Sequence, residues 1–162
     1  YVAGTAMLLI ALSMWWSYFD WLFRIGEKAL KNATGLARGR LARDAYSVAH
    51  YPLVAGVILF AVGTEELVAH PDVAVEGATR WAFVGGLMLF LAAESIMARL
   101  FSGSVAWERI ALIGFIGIAG LAFGGLNGAA LVAVVCAALL VTLGVETVRY
   151  RDELSQLRAT QS

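Results

Sequence analysis

The sequence predicts an all-α integral membrane protein in which about five transmembrane helices form an antiparallel, up-and-down bundle. Of its 162 residues 60% are hydrophobic and 15% are charged, and the mean hydropathy is +0.78, a balance that water-soluble domains of this length do not show. A helix needs about 20 mostly apolar residues to cross a bilayer core about 30 Å thick. We therefore expect a transmembrane bundle over residues 1–148, with a cytoplasmic tail over 149–162. Its five spans are expected at about 2–23, 45–67, 80–98, 107–126 and 128–148.

The composition also excludes several classes of protein. A single cysteine excludes a disulfide scaffold, and a formal net charge of zero excludes an electrostatic nucleic-acid binder. No nucleophile elbow, phosphate loop, metal signature or dinucleotide fingerprint is present. The sequence therefore indicates no enzyme, no cofactor and no metal site, and the lipid bilayer is the first partner that we expect.

The basic residues set the predicted orientation of the bundle. All but one of the twelve Lys and Arg residues lie on alternate connections and on the tail, and the exception is Arg80. The positive-inside rule places such connections in the cytoplasm. We therefore expect residues 24–44 and the tail on the cytoplasmic side, and the acidic connection 65–76 on the outer side.

The first span carries a polar face that does not suit lipid. Ser13, Ser17, Asp20 and Arg24 recur along it at helical spacing. Asp20 precedes Arg24 by four residues, the order that favours an ion pair within one helix. Two interpretations of this face remain open. It either holds an ion pair that helps Arg24 reach the lipid headgroups, or it forms part of a functional polar layer.

The second span begins with a similar stripe at its predicted cytoplasmic end. Arg43, Tyr46, Ser47 and His50 fall on one arc of the helix. A histidine here could accept a proton near neutral pH, but a histidine that donates one hydrogen bond to a neighbouring helix is more common. Pro52 removes a backbone donor and can bend the helix beside His50.

Glu94, in the third span, is an ionisable residue that has no partner of opposite charge within reach on its own helix. A buried charge costs about 2.5 to 3.5 kcal/mol on insertion scales, and Arg99 lies about 140° around the helix from Glu94. Glu94 therefore needs a partner from elsewhere, and we expect it either to pair with His50 or to stay protonated. Glu146 differs, because Arg149 follows it by three residues and a local ion pair is expected there.

The fourth span is rich in glycine and nearly free of polar atoms. Gly114, Gly117, Gly120 and Gly124 recur along it, and the last two have the spacing that lets helix backbones approach closely. We interpret it as a packing helix, and residues 85–86 of the third span, both glycine, mark a further close contact.

Two stretches go beyond composition, WWSYFD at residues 15–20 and RDAYSVAHYPLVAGVILFAVG at residues 43–63. Together they resemble the bacterial low-temperature-requirement protein A family of multi-pass membrane proteins. The resemblance implies that this chain is the carboxy-terminal part of a longer protein of the bacterial inner membrane, with transmembrane helices upstream of Tyr1. The resemblance implies no particular reaction or substrate. It does imply that the motif positions of the family include Asp20, Arg43, Asp44, Tyr46, His50 and Pro52.

Two classes of function remain open. The first is a transporter or permeation unit in which Asp20, Tyr46, Ser47, His50 and Glu94 form a polar layer in the cytoplasmic half and handle protons or a small cation. The second is a non-catalytic subunit that packs, through its glycine-rich helix, against upstream helices or other membrane subunits. We favour the first for the full-length protein.

Overall fold

The computed structural model describes residues 2–75, 77–122 and 127–149, and these residues form an all-α bundle. Apart from one isolated bridge between Ala74 and Asn127, no described residue pairs in a sheet. The predicted all-α membrane bundle is therefore confirmed. Within the described ranges the helices are α1 (Val2–Asn32), α2 (Gly35–Ala69), α3 (Gly77–Ser102), α4 (Trp107–Ala122) and α5 (Gly128–Arg149).

Four of these helices, α1, α2, α3 and α5, are long and apolar enough to cross a membrane. The spans predicted at 2–23, 45–67, 80–98 and 128–148 lie within them. Helix α4 has 16 described residues. The predicted fourth span continues to residue 126, but residues 123–126 lie outside the described part of the chain, as does the predicted tail after Arg149.

Helix α3 lies at the centre of the bundle. It packs along α2, and it also contacts α4 and the second half of α1. Helix α5 closes the arrangement by packing against α1 and α4. We call the end that holds residues 24–44 and 99–109 the basic end, and the end that holds residues 70–75 the acidic end.

Two helices contain π-helical turns that the sequence did not predict. The turns are Ser17–Leu22 in α1 and Asp44–Val48 in α2. A π turn inserts an extra residue into the helix, which rotates the side chains that follow it, and such turns are frequent at functional sites. Both turns overlap the two stretches, 15–20 and 43–63, that carry the family resemblance.

Helices α2 and α3 approach each other closely at glycines. A Cβ atom on Gly86 would lie 2.3 Å from the backbone nitrogen of Phe60, and one on Gly63 would lie 2.4 Å from the backbone nitrogen of Phe83. No side chain fits at either distance. Gly85 is different, because a Cβ there would meet nothing within 4 Å. The close contact predicted for residues 85–86 is therefore made by Gly86 alone.

The glycines of α4 pack less closely than the sequence suggested. A Cβ on Gly120 would lie 2.9 Å from a methyl group of Val84, and one on Gly117 would lie 3.3 Å from a methionine side chain of α3. Gly114 is exposed, and a Cβ there would meet nothing within 4 Å. The close contact expected at Gly114 is not made among the described residues, because six residues turn it by about 120° from Gly120. Gly124 lies outside the described residues.

Candidate functional site

A buried network of three charged side chains joins three helices in the half of the bundle nearest the basic end. Glu94 of α3 is fully buried, and Arg109 of α4 is 2% exposed. Arg109 donates from Nη1 to Oε2 of Glu94 over 2.7 Å. It also donates from Nε and Nη2 to Oε1 and Oε2 of Glu146 over 2.9 and 3.1 Å. The contact with Glu146 is the bidentate geometry that a guanidinium and a carboxylate favour, and it connects α4 to α5.

Helix α1 contributes to the network from its π turn. Ser17 donates from Oγ to Oε2 of Glu94 over 2.8 Å. The ring of Trp21 covers the guanidinium of Arg109, with Cζ 4.5 Å from the ring centroid. Oε1 of Glu94 is buried and has no hydrogen-bond partner among the described residues. Four helices therefore meet around one buried cation.

The local sequence explains how Arg109 reaches the interior. Helix α3 ends before Gly103, whose φ of 72° lies in the left-handed region that glycine adopts easily. The chain then turns through residues 103–106, and α4 begins at Trp107. Arg109 shares the inward face of α4 with Leu112 and Ile116, which follow at three and seven residues and are buried.

A cavity of about 420 Å³ lies beside the network at the basic end. Helices α1 and α5 and the connection 103–106 form its walls. Its charged lining residues are Asp20, Arg109 and Glu146. The larger apolar side chains that line it are Trp16, Trp21, Ile25, Val105 and Leu143.

Ion pairs link the charged side chains around this cavity. Asp20 forms an ion pair with Arg24 of the same helix, with 3.7 Å between Oδ1 and Nε. Counted with Glu94, Arg109 and Glu146, the group holds three acids and two arginines among the described residues. No group of three or more His, Cys, Asp or Glu side chains among the described residues could hold a metal ion.

Two residues of the predicted polar layer lie in the network or line the cavity beside it. Asp20 lines the cavity and Glu94 holds the centre of the network. His50 does not line the cavity. Its ring lies 6.0 Å from the ring of Tyr18, and its Nδ1 is buried without a partner among the described residues. Of the two alternatives predicted for Glu94, the pair with His50 is not formed, because Arg109 is the partner of Glu94.

The other two residues of the predicted layer lie on the π turn of α2. The ring of Tyr46 packs against Phe101 of α3, with 5.9 Å between the centroids. Ser47 is exposed. Neither side chain lines the cavity beside Arg109.

Arg109 and Glu146 are the residues whose roles the sequence misjudged. The local pair expected between Glu146 and Arg149 is wrong, since Glu146 binds Arg109 and Arg149 pairs with Glu108. The sequence alone indicates Arg109 only as a basic residue of the predicted cytoplasmic side. Its register with Leu112 and the other buried residues of α4 is the signal that could have identified it.

The model of the family described as Bacterial low temperature requirement A protein (LtrA) matches residues 1–145. No curated protein and no solved structure matches the chain. The matched range includes Ser17, Glu94 and Arg109, and it ends one residue before Glu146.

Proposed function

The chain belongs to the bacterial low temperature requirement A protein family of membrane proteins, and we propose that it acts as a transporter or permeation unit for protons or a small cation. The supporting observation is the buried network of Glu94, Arg109 and Glu146 beside a cavity of about 420 Å³. Ionisable residues inside a membrane are costly, and they usually mark substrate or ion pathways. We further propose that the membrane is the bacterial inner membrane and that the basic end faces the cytoplasm.

The network links occupancy of the site to helix packing. Arg109 neutralises part of the charge of Glu94 and Glu146, which lie on different helices. A proton or cation that binds either carboxylate competes with Arg109 for the same oxygen atoms. Binding therefore weakens a contact of α4 with α3 or with α5, and a change of this kind can alternate access to the site.

The other half of the bundle favours a transporter over an open pore. Between the network and the acidic end the interior is filled with apolar side chains. They include Met7, Ile10, Phe60, Phe83 and Leu87, each of which is less than 7% exposed. The described residues offer a charged substrate no polar route through this layer in the present conformation, so passage requires the helices to rearrange.

Flux measurements on the full-length protein in liposomes test this proposal. An enclosed pH-sensitive dye reports proton movement under an imposed Na⁺ or K⁺ gradient. Glu94→Gln keeps the size of the side chain and removes its charge, so we expect flux to fall by about tenfold or more. The matched control is Glu108→Gln, which changes the pair with Arg149 outside the network and should leave the flux unchanged. Full flux in Glu94→Gln, or no flux above empty liposomes for the parent protein, would refute the proposal.

The alternative function is that of a non-catalytic subunit of a larger membrane complex. The outward face of α4 favours it, because Gly114 is exposed beside Ile118 at 67% and Leu121 at 69% exposure. Upstream helices or other membrane subunits would cover this face. Under the alternative, Gly114→Leu weakens co-purification of the complex, whereas Glu94→Gln leaves it intact.

A further inference from the structure

We propose that the ion which the network takes up is a proton, and that the hydroxyl group of Ser17 carries it between the cavity and Glu94. This inference rests on the proposed function, since it narrows the ion from a proton or a small cation to a proton alone. It depends on the separation of Glu94 from the cavity, on the contacts of Ser17 and on the close packing around the carboxylate of Glu94.

Glu94 is separated from the cavity by its own hydrogen-bond partners. It is fully buried, and it does not line the cavity of about 420 Å³. Two side chains that donate to it, Ser17 and Arg109, do line that cavity. Among the described residues, these two side chains are therefore the hydrogen-bonded links between Glu94 and the cavity.

Water can reach the cavity from the basic end. Ser102 and Ser104 line the cavity and are exposed, so the cavity opens at the surface there. Its volume of about 420 Å³ gives room for several water molecules. Because chains of water molecules carry protons, a proton from this end of the bundle can arrive beside Ser17.

Ser17 has the hydrogen-bond pattern of a proton relay. Its Oγ donates to Oε2 of Glu94 over 2.8 Å, and it accepts no hydrogen bond among the described residues. A hydroxyl oxygen has two acceptor lone pairs, so a hydronium ion in the cavity can donate to Oγ. Arg109 cannot act in this way, because a guanidinium only donates and does not lose its proton in proteins.

The transfer balances as two coupled steps. One O–H bond of the hydronium ion breaks as a new O–H bond forms on Oγ of Ser17. The original O–H bond of Ser17 breaks as an O–H bond forms on Oε2 of Glu94. A water molecule is left in the cavity, and Glu94 becomes a neutral acid that holds Arg109 less strongly. Uptake of one proton therefore weakens the contact of α3 with α4.

A metal ion cannot follow the same route. A hydroxyl group passes on a proton by exchanging one O–H bond for another, which a metal ion cannot do. Oε1 of Glu94 accepts no hydrogen bond among the described residues, and it has practically no surface that a water molecule could touch. A hard metal ion takes several oxygen ligands around one point, and the described residues hold no group of acidic, histidine or cysteine side chains that could supply them. A proton needs only one oxygen atom.

The other ionisable side chains around Glu94 offer no second relay. Arg109 of α4 pairs with Glu94, and Glu146 of α5 pairs with Arg109. Tyr18 of α1 lies within electrostatic range of Glu94, but it does not line the cavity. From α2, His50 packs against Tyr18 and does not line the cavity either.

Infrared difference spectroscopy of the full-length protein in nanodiscs tests the inference. After a rapid fall in pH it follows the protonation of carboxyl groups, and the band that Glu94→Gln removes belongs to Glu94. We expect Ser17→Ala to slow the protonation of Glu94 by about tenfold or more. Ser17→Thr keeps a hydroxyl group and should recover most of the rate. Absence of the Glu94 band, or an unchanged rate in Ser17→Ala, would overturn the inference.

Ser13→Ala is the matched control on the same helix. Ser13 lies four residues before Ser17, is buried to the same degree, and donates to the backbone oxygen of Leu9 over 2.7 Å. It does not line the cavity, so its loss should leave the rate at Glu94 unchanged. Equal slowing in Ser13→Ala and Ser17→Ala would point to a general loosening of α1 and would contradict the relay.

Salts distinguish a proton from a metal ion at this site. Sodium chloride and potassium chloride, compared with choline chloride at equal ionic strength and constant pH, should leave the Glu94 band unchanged. Loss of the band in either metal salt would show that the metal ion competes for the carboxylate, and it would overturn the inference.

Flux in liposomes separates this inference from the proposed function. Flux in the parent protein that is unchanged in Ser17→Ala would refute the relay and leave the proposed function standing. Protonation of Glu94 that depends on Ser17, without any flux in the parent protein, would support the relay and refute the proposed function.

Discussion

Arg109 lies against the face of Trp21, with its Cζ 4.5 Å from the ring centroid, and its nitrogens donate in the guanidinium plane to Glu94 and Glu146. The π face and the two carboxylates therefore take the place of water around this cation. Because the four residues come from four helices, the contacts of one side chain join α1, α3, α4 and α5. Substitutions of these four residues should therefore lower the stability of the whole bundle.

The contact with Trp21 can be measured separately from the ion pairs. Trp21→Leu removes the ring, and we expect it to lower the free energy of unfolding by about 2 kcal/mol, whereas Trp21→Phe recovers part of the loss. Unfolding in detergent, followed by circular dichroism, gives the values. The control is Trp81→Leu, which removes the exposed ring beside Arg80 and should have a small effect. Equal losses at the two positions would contradict the prediction.

The ion pairs should be strongly coupled. Arg109→Met leaves the carboxylates of Glu94 and Glu146 without their cation, and we expect a loss of about 3 to 5 kcal/mol. Adding Glu94→Gln to that variant removes one of the two stranded charges, so the double variant should be more stable than Arg109→Met alone. A double-mutant cycle in the same unfolding assay measures the coupling. Additive losses would mean that the two residues do not interact.

Two adjacent glycines of α3 provide a matched test of helix packing. Gly86→Ala places a methyl group 2.3 Å from the backbone nitrogen of Phe60, so α2 and α3 must separate and the yield of folded protein should fall. Gly85→Ala meets open space, and the better helix propensity of alanine makes it neutral or slightly stabilising. Size-exclusion chromatography after a heat step compares the two. Similar behaviour of both variants would contradict the packing.

The predicted orientation can be tested by cysteine labelling in intact cells. Cys136 is buried, and Cys136→Ala gives a background without reactive thiols among the described residues. Arg38→Cys lies on the exposed start of α2, and Val73→Cys lies on the exposed acidic connection. We expect a membrane-impermeant maleimide to label position 73 and to leave position 38 unmodified until the cells are opened. Labelling of position 38 in intact cells would reverse the orientation.

The sequence could predict the helices because lipid restricts them so strongly. Any backbone that crosses the bilayer must be helical and mostly apolar, so composition alone located the spans. The same reasoning showed that Glu94 needed a partner from elsewhere, since the geometry within one helix is known. It could not identify Arg109, because that choice depends on which faces of α3 and α4 meet.

Two further features depended on contacts between helices. The sequence placed close packing on the evenly spaced glycines of α4, whereas Gly63 and Gly86 make the tighter approach between α2 and α3. Glycine spacing shows where a backbone could be approached, but not which neighbour approaches it. The π turn Ser17–Leu22 has no signature in composition, and yet it aims Ser17 and Trp21 at the network.

The contact of α2 with α3 has a consequence for how the bundle responds to cooling. Contacts that depend on the release of water weaken as temperature falls, because apolar hydration carries a large heat capacity. The backbones that meet at Gly63 and Gly86 are held in lipid by dispersion forces between closely fitted surfaces. Little water is released when they join, so their association has a small heat capacity. The association of α2 with α3 should therefore stay about as favourable at low temperature. An interface of the same area in water would become less favourable on cooling.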